Sequence, residues 1–206
     1  MANANVAFGL KPVGMHGSSP ATQGTSQYFI ASDASAIFQG SPVKAELTGG
    51  TIAIGSASND GVQLVGVFAG CEFVDATTGK LRFSNTWPGS GSANTNFDIK
   101  GFVYDNPAQR FIIASDGTNT DRATAKADIF GTFPMANGAS GNTTTGISTA
   151  KIDISEKANT DTSLPLMVLG IHEDVTNADH SAAGVSYIVK INNHALNGSD
   201  VDATAS

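Results

Sequence analysis

The chain has 206 residues, of which 14% are charged, and its 11 Lys and Arg against 18 Asp and Glu give a net charge of −7. Typical domains carry about 25% charged residues, so the polarity here comes instead from Gly, Ser, Thr and Asn, which favour turns and loops. The few cations are scattered, which argues against binding to nucleic acid or to an acidic membrane surface, because both need clustered Lys and Arg.

The first 27 residues are rich in Gly, Ser, Pro and Asn and predict an extended N-terminal arm, residues 1–27, rather than a packed element. They lack a basic segment followed by an apolar run, so no signal peptide is expected. No apolar run approaches the roughly 20 residues of a membrane helix. We therefore expect a protein that is made in the cytoplasm and does not enter a membrane.

Short apolar runs bounded by turn residues predict strands, and Asn59-Asp60-Gly61 is a strong turn signal between two of them. The predicted strands lie at 28–30, 36–38, 42–47, 51–54, 62–68, 71–74, 80–83, 97–104, 111–114, 151–154, 166–172 and 185–191. No apolar helical pattern of ten or more residues separates them. The sequence thus predicts a mainly β fold, a single β-barrel or β-sandwich domain over residues 28–196.

Helical signals are sparse, and at most one or two short helices are expected. One is predicted over residues 122–130, with Thr120 or Asp121 as its N-cap and Gly131 as its stop. Residues 137–149 are almost entirely Gly, Asn, Ser and Thr and predict a polar loop that does not pack. Residues 197–206 predict a flexible C-terminal tail.

Candidate catalytic and metal-binding residues do not fall into a known spacing. The four histidines, at 16, 172, 180 and 194, lack the i, i+4 separation that places two imidazoles on one helix face. His172, Glu173 and Asp174 could bind a metal, but a solvated strand exit explains the trio better. Residues 116–121 lack the distal Glu of a calcium loop, and Cys71 is predicted to be a buried structural thiol. We expect no enzyme, no cofactor and no metal.

Three motifs follow one another along the chain. They are Phe8-Gly-Leu-Lys-Pro-Val13 with Gly40-Ser-Pro-Val-Lys44, then Gly146-Ile-Ser-Thr-Ala-Lys-Ile-Asp153, then Leu169-Gly-Ile171 with Tyr187-Ile-Val-Lys-Ile-Asn-Asn-His-Ala-Leu196. In order and spacing they resemble the capsid decoration (cement) proteins of tailed bacteriophages, including head structural proteins of marine phages and cyanophages. Ser41 stands where that family commonly has Asp.

The resemblance implies a virion protein on the outer surface of the assembled capsid that cements neighbouring major capsid protein subunits. Its partners would be the major capsid protein and further copies of itself, as a homodimer or homotrimer, without nucleic acid or membrane. The arm would lie across a neighbouring subunit, so deletion of residues 1–15 should weaken attachment and leave the domain folded. The expected capsid contacts are Phe8, Leu10, Lys11, Pro12, Val13 and Met15.

Two other functions remain open from the residues alone. A tail, fibre or head-surface module could recognise host glycans through Trp87, although Trp beside Pro88 more often stabilises a loop. A glycan hydrolase could use Glu72, Asp75 or Glu173, but no paired-carboxylate signature supports it. The structural role is therefore the favoured interpretation.

Overall fold

Strands dominate the fold. The computed structural model describes residue 3 and residues 5–17, 24–56, 62–158 and 163–197. The strands in these residues are β1 (Lys11–Met15), β2 (Ser26–Ile30), β3 (Pro42–Glu46), β4 (Thr51–Ile54), β5 (Leu64–Val74), β6 (Leu81–Ser84), β7 (Ile99–Tyr104), β8 (Gln109–Ala114), β9 (Thr132–Phe133), β10 (Met135–Ala136), β11 (Gly141–Asn142), β12 (Ile147–Ser148), β13 (Lys151–Ile152), β14 (Leu166–Ile171) and β15 (Ser186–Ile191). The helices are α1 (Arg122–Ala127) and the short 3-10 helix η1 (Val175–Asn177). The predicted mainly β fold is confirmed.

Five strands close into a barrel in the order β3-β4-β2-β7-β5, and the pairing of β3 with β5 completes the circle. Neighbouring strands are antiparallel except β2 and β4, which run parallel. Strand β6 pairs with β5 and extends the sheet beyond the closed barrel. Of the two architectures that the sequence left open, this half of the molecule is a barrel.

The barrel interior is filled by large apolar side chains because each strand turns alternate residues inward. In β7 the inward positions are Ile99, Gly101 and Val103, which are buried and alternate with partly exposed residues. Gly101 allows a close approach: a Cβ there would lie 3.0 Å from the Cδ1 atoms of Ile30 and Ile52. The buried cluster comprises Ile30, Ile37, Val43, Ile52, Phe68, Cys71, Phe73, Trp87, Ala93, Ile99 and Val103.

A second sheet has five antiparallel strands in the order β1-β8-β15-β14-β9. One of its faces packs on α1 through Ala125 and on β13 through Ile152, forming a second core. Tyr187 is buried in this core, where its hydroxyl donates to Asp128 Oδ2 at 2.8 Å and accepts from Asn119 Nδ2 at 2.6 Å. These bonds satisfy the hydroxyl, which would otherwise be costly to bury.

Strand β5 belongs to both cores. The sequence predicts two strands at 62–68 and 71–74, but the structure forms one strand of 11 residues with an irregularity between Phe68 and Gly70. Leu64 and Val67 lie in the core of the five-stranded sheet, whereas Phe68 and Phe73 lie inside the barrel. The two halves of the molecule are therefore joined by continuous backbone.

The predicted helix is confirmed at its start and is shorter than expected. Asp121 is the N-cap, and its side chain accepts a hydrogen bond from the Thr124 backbone N–H at 2.8 Å. The helix ends at Ala127, three residues before the predicted end, and Phe130 then adopts a positive φ of 67°. That left-handed residue turns the chain towards β14, where the Phe130 N–H bonds to the Val168 carbonyl.

The prediction of an extended N-terminal arm over residues 1–27 is wrong for most of the residues of this segment that the structure describes. Residues 11–15 form β1, which pairs with β8, and Leu10 and Met15 are buried. Gly9 makes this packing possible for two reasons. It adopts a φ of +68°, which glycine tolerates best, and it has no side chain to collide with Gly40. A Cβ atom at Gly9 would lie 2.6 Å from the Gly40 carbonyl oxygen. The β-rich domain thus begins well before residue 28.

The loop predicted over residues 137–149 packs instead of standing free, so that expectation is also wrong. Strands β11 and β12 pair within it, and Ser148 is fully buried. Gly141 lies directly against the ring of Phe38, where no larger residue fits. Of the predicted tail, Asn197 donates its backbone N–H to His194, and residues 198–206 lie outside the described residues.

Candidate interaction surface

The polar residues that could have carried chemistry are engaged in local structure. Glu173 forms an ion pair with Arg122 at 2.5 Å, and Asp174 accepts from the Thr176 backbone N–H to cap η1. The hydrogen bond from Arg122 keeps the pKa of Glu173 below its usual value. Among the described residues, no three His, Cys, Asp or Glu side chains are grouped so as to hold a metal ion.

The other two carboxylates considered for glycan hydrolysis, Glu72 and Asp75, also have local partners. Glu72 pairs with Lys100 at 3.2 Å across the barrel wall. Asp75 accepts from the backbone N–H groups of Thr77 and Thr78, and these bonds hold its pKa below the ordinary value. Each carboxylate therefore stabilises a strand or a turn.

Cys71 is the buried structural thiol that the sequence predicts. It lies in the barrel wall on β5, and its Sγ contacts the Thr86 carbonyl oxygen at 3.3 Å. Burial raises the pKa of the thiol to about 12. A thiol with such a pKa is almost entirely protonated at neutral pH, so it is a poor nucleophile.

We expect Cys71 in the folded protein to react with a disulfide thiol reagent at least about a hundredfold more slowly than in guanidinium-unfolded protein at pH 8. Burial blocks the reagent and keeps the sulfur protonated, and unfolding removes both effects. The rate of chromophore release measures the difference. Equal rates in the two states would show that the barrel wall opens at Cys71.

Trp87 cannot serve as a platform for a sugar ring. It is fully buried inside the barrel, its Nε1 donates to the Ala34 carbonyl at 3.1 Å, and its ring packs edge-on against Phe73 at 5.4 Å. Trp87 lies on the connection between β6 and β7, as the sequence predicts, but it is buried there, so the residue on which glycan recognition depended has a structural role. The interpretation that Trp87 stabilises its surroundings is confirmed.

The residues predicted as capsid contacts divide into buried and accessible ones. Leu10 and Met15 are buried in their own domain and cannot contact a partner. Phe8, Lys11 and Pro12 remain at least partly accessible. With parts of the barrel they line a groove of about 280 Å³. Val13 is also partly accessible and lies at the irregular step in the pairing of β1 with β8.

The outer face of the barrel carries an exposed row of side chains that crosses four strands. Cross-strand pairing aligns Phe29 with Lys100, Lys100 with Glu72, and Glu72 with Phe83. The row spans roughly 14 Å, three inter-strand spacings. Phe29 is 47% exposed and Phe83 is 68% exposed, on either side of the Lys100–Glu72 ion pair.

Two further phenylalanines enlarge this surface, which we call the aromatic face and define as Phe29, Phe83, Phe97 and Phe102. Phe102 is partly exposed and shares a depression of about 370 Å³ with Phe83. Phe97 is exposed and lines a second depression, of about 320 Å³, with Phe29. Grouped exposed aromatic side chains are characteristic of protein-binding surfaces, where they act as anchors.

Sequence reasoning located the strands of the aromatic face but missed the face. Phe102 alternates with the inward Gly101 and Val103, so its outward direction could have been inferred from the period of β7. The alignment with Phe29 and Phe83 depends on the pairing of β2, β7, β5 and β6, which is not encoded in any single segment.

No family model, curated protein or solved structure matches the chain. Within the part of the chain that the structure describes, no helix has the length and apolarity needed to cross a bilayer.

Proposed function

We propose that the chain is a structural protein of a tailed-bacteriophage virion, which binds the outer surface of the assembled capsid and cements neighbouring major capsid protein subunits. The aromatic face is the observation that carries the proposal. Phe29 and Phe102 lie on barrel strands, Phe83 lies on the adjoining strand β6, and Phe97 lies just before β7. Aromatic anchors held by regular structure bind a partner with little loss of conformational freedom.

The resemblance of the three sequence motifs to capsid decoration proteins supplies the identity of the partner. A protein of this kind acts by occupying area on several subunits at once, so that individually weak contacts add up to firm attachment. Because it binds only the assembled lattice, its binding free energy stabilises the shell. Self-association into a homodimer or homotrimer, as the resemblance implies, would multiply these contacts.

The charge of the chain supports an exterior location. A net charge of −7 opposes binding to packaged DNA, whose phosphates need clustered cations. The carboxylates suggested for catalysis have local partners, as described above. The surface of the chain therefore supports binding through contact area rather than catalysis.

The proposal is tested with empty capsid shells assembled from the major capsid protein of the virus that encodes the chain. Added protein should appear as density on the outer surface and should raise the melting temperature of the shells. Phe83→Ser should weaken binding at least about tenfold, because it removes an exposed anchor of the docking surface. Its own melting temperature should hardly change, since the side chain is solvent-exposed.

Phe130→Ser is the matched control, since Phe130 is 73% exposed but follows α1 and lies outside the aromatic face. It should bind shells as the unmodified protein does. Shells that melt at the same temperature with and without the protein would overturn the cementing role. If Phe83→Ser and Phe130→Ser lost the same amount of shell binding, the aromatic face would not be the docking surface.

A further inference from the structure

The five-stranded sheet has a second face, opposite the one that forms its core. In β8 the core takes Phe111 and Ile113, so Arg110 and Ile112 lie on the other side. Cross-strand pairing extends these positions into two rows. The first row is Lys11, Ile112 and Ile188, and the second is Arg110, Lys190 and Met167. We call these six residues the basic face.

The basic face has a charge opposite to that of the whole chain. It carries three cations and neither row contains Asp or Glu, whereas the chain has a net charge of −7. The ion pairs among the described residues join Lys44 to Glu46, Arg82 to Asp75, Lys100 to Glu72, Arg122 to Glu173 and Lys157 to Asp128. None of these pairs includes a cation of the basic face.

Arg110 gives the clearest sign of an unmet interaction. Its Nε is shielded from solvent and has no hydrogen-bond partner among the described residues. A shielded guanidinium nitrogen without an acceptor is costly. A partner cannot reach the shielded Nε itself, but the Arg110 side chain is partly exposed and has no ion-pair partner among the described residues, so it is available to a carboxylate on a docking partner. Beside Arg110, the partly exposed side chains of Ile188 and Met167 offer apolar contact.

We propose that the basic face is a second docking surface, which binds an acidic surface with apolar residues on the major capsid protein subunit. This rests on the proposed function and adds the chemistry of the partner. The proposal rests on charge complementarity. The three cations have no ion-pair partner among the described residues, and they lie beside the partly exposed Ile188 and Met167, so the face fits carboxylates set among apolar residues.

Other occupants fit the basic face less well. A second copy cannot bind through the same face, since a two-fold interface would bring like charges together. Duplex DNA would meet only three cations, separated by Ile and Met, on a chain of net charge −7. The barrel carries the aromatic face and the five-stranded sheet carries the basic face, so the chain has two surfaces with which to contact two neighbouring subunits.

The test compares binding of Lys11→Glu and Lys190→Glu to empty capsid shells at several ionic strengths. Each variant should bind at least about tenfold more weakly than the unmodified protein, because it places a like charge against the acidic partner. Binding of the unmodified protein should weaken as salt increases, and this dependence should be smaller in the variants. Lys190→Arg keeps the charge and should bind normally.

Lys126→Glu is the control with the same change of charge. Lys126 is exposed on α1, which packs on the opposite side of the sheet through Ala125, so this variant should bind as the unmodified protein does. Thermal unfolding of each variant separates lost binding from lost folding, because a normal melting temperature assigns the loss to the face.

The outcomes separate this inference from the proposed function. If the unmodified protein binds shells and both basic-face variants bind equally well, the inference is overturned and the proposed function stands. If the unmodified protein does not bind shells, both are overturned. Retention of duplex DNA that is lost in Lys190→Glu, or a change of oligomeric state in that variant, would assign the face to another occupant and overturn the inference.

Discussion

Deletion of residues 1–15 is expected to destabilise the domain severely. The deletion removes strand β1 from the five-stranded sheet and leaves β8 as an exposed edge. It also removes Leu10 and Met15, both buried in the folded protein. Loss of one such side chain costs about 2–5 kcal/mol, against a total stability of about 5–15 kcal/mol for typical domains. Chemical denaturation of the shortened and the full chain measures the loss.

A matched pair of substitutions isolates the packing contribution of the segment. Leu10→Ala should lower the free energy of unfolding by about 2–5 kcal/mol, whereas Val6→Ala should change it by less than about 0.5 kcal/mol, since Val6 is 62% exposed. A shortened chain with unchanged stability would restore the view of this segment as an arm. Binding to shells is meaningful only for variants that remain folded.

Trp87→Ala should lower the free energy of unfolding by about 3–5 kcal/mol. The substitution empties the largest side-chain volume among the fully buried residues and removes the edge-on contact with Phe73. It also leaves the Ala34 carbonyl without the indole N–H. Denaturant titration followed by circular dichroism measures the change.

Two controls assign the loss at Trp87 to its causes. Trp87→Phe keeps most of the apolar volume and loses the hydrogen bond to Ala34, so a smaller cost is expected than for Ala. Phe97→Ala changes an exposed aromatic residue and should be close to neutral. A stable Trp87→Ala variant would contradict the packed barrel interior. Because the variant is destabilised, lost glycan binding in it would not identify a sugar site.

The strands that follow from local patterns were predicted correctly. The run over residues 42–47 predicts β3, and the run over residues 97–104 predicts β7, which begins two residues later than expected, at Ile99. Turn residues between short apolar runs were sufficient for this, because a half-buried strand repeats every two residues.

The missed elements depend on contacts that are distant in sequence. Strand β1 contains Pro12 and Gly14, which indicate a loop, and it becomes a strand by pairing with β8 about 100 positions later. The segment over residues 137–149 is too polar to predict a core, yet Gly141 fits against Phe38 because it lacks a side chain. Such packing depends on the residues that the segment contacts elsewhere in the chain rather than on the composition of the segment itself.

Both candidate surfaces were invisible in the sequence for a similar reason. The aromatic face joins residues from three strands and the segment before β7, and the basic face joins residues from four strands of the second sheet. Each face therefore depends on how the strands pair. The eleven cations look scattered along the chain, and three of them meet only where β1, β8 and β15 lie side by side.

The long strand β5 has a mechanical consequence. Its 11 residues extend roughly 36 Å, and its side chains enter both cores. If one partner bound the barrel and another bound the five-stranded sheet, a force separating the two partners would therefore act along β5. Its lateral hydrogen bonds to β3, β6 and β7 would be loaded in parallel, in shear, rather than broken one after another. Such an arrangement would resist forces that pull the barrel and the five-stranded sheet apart.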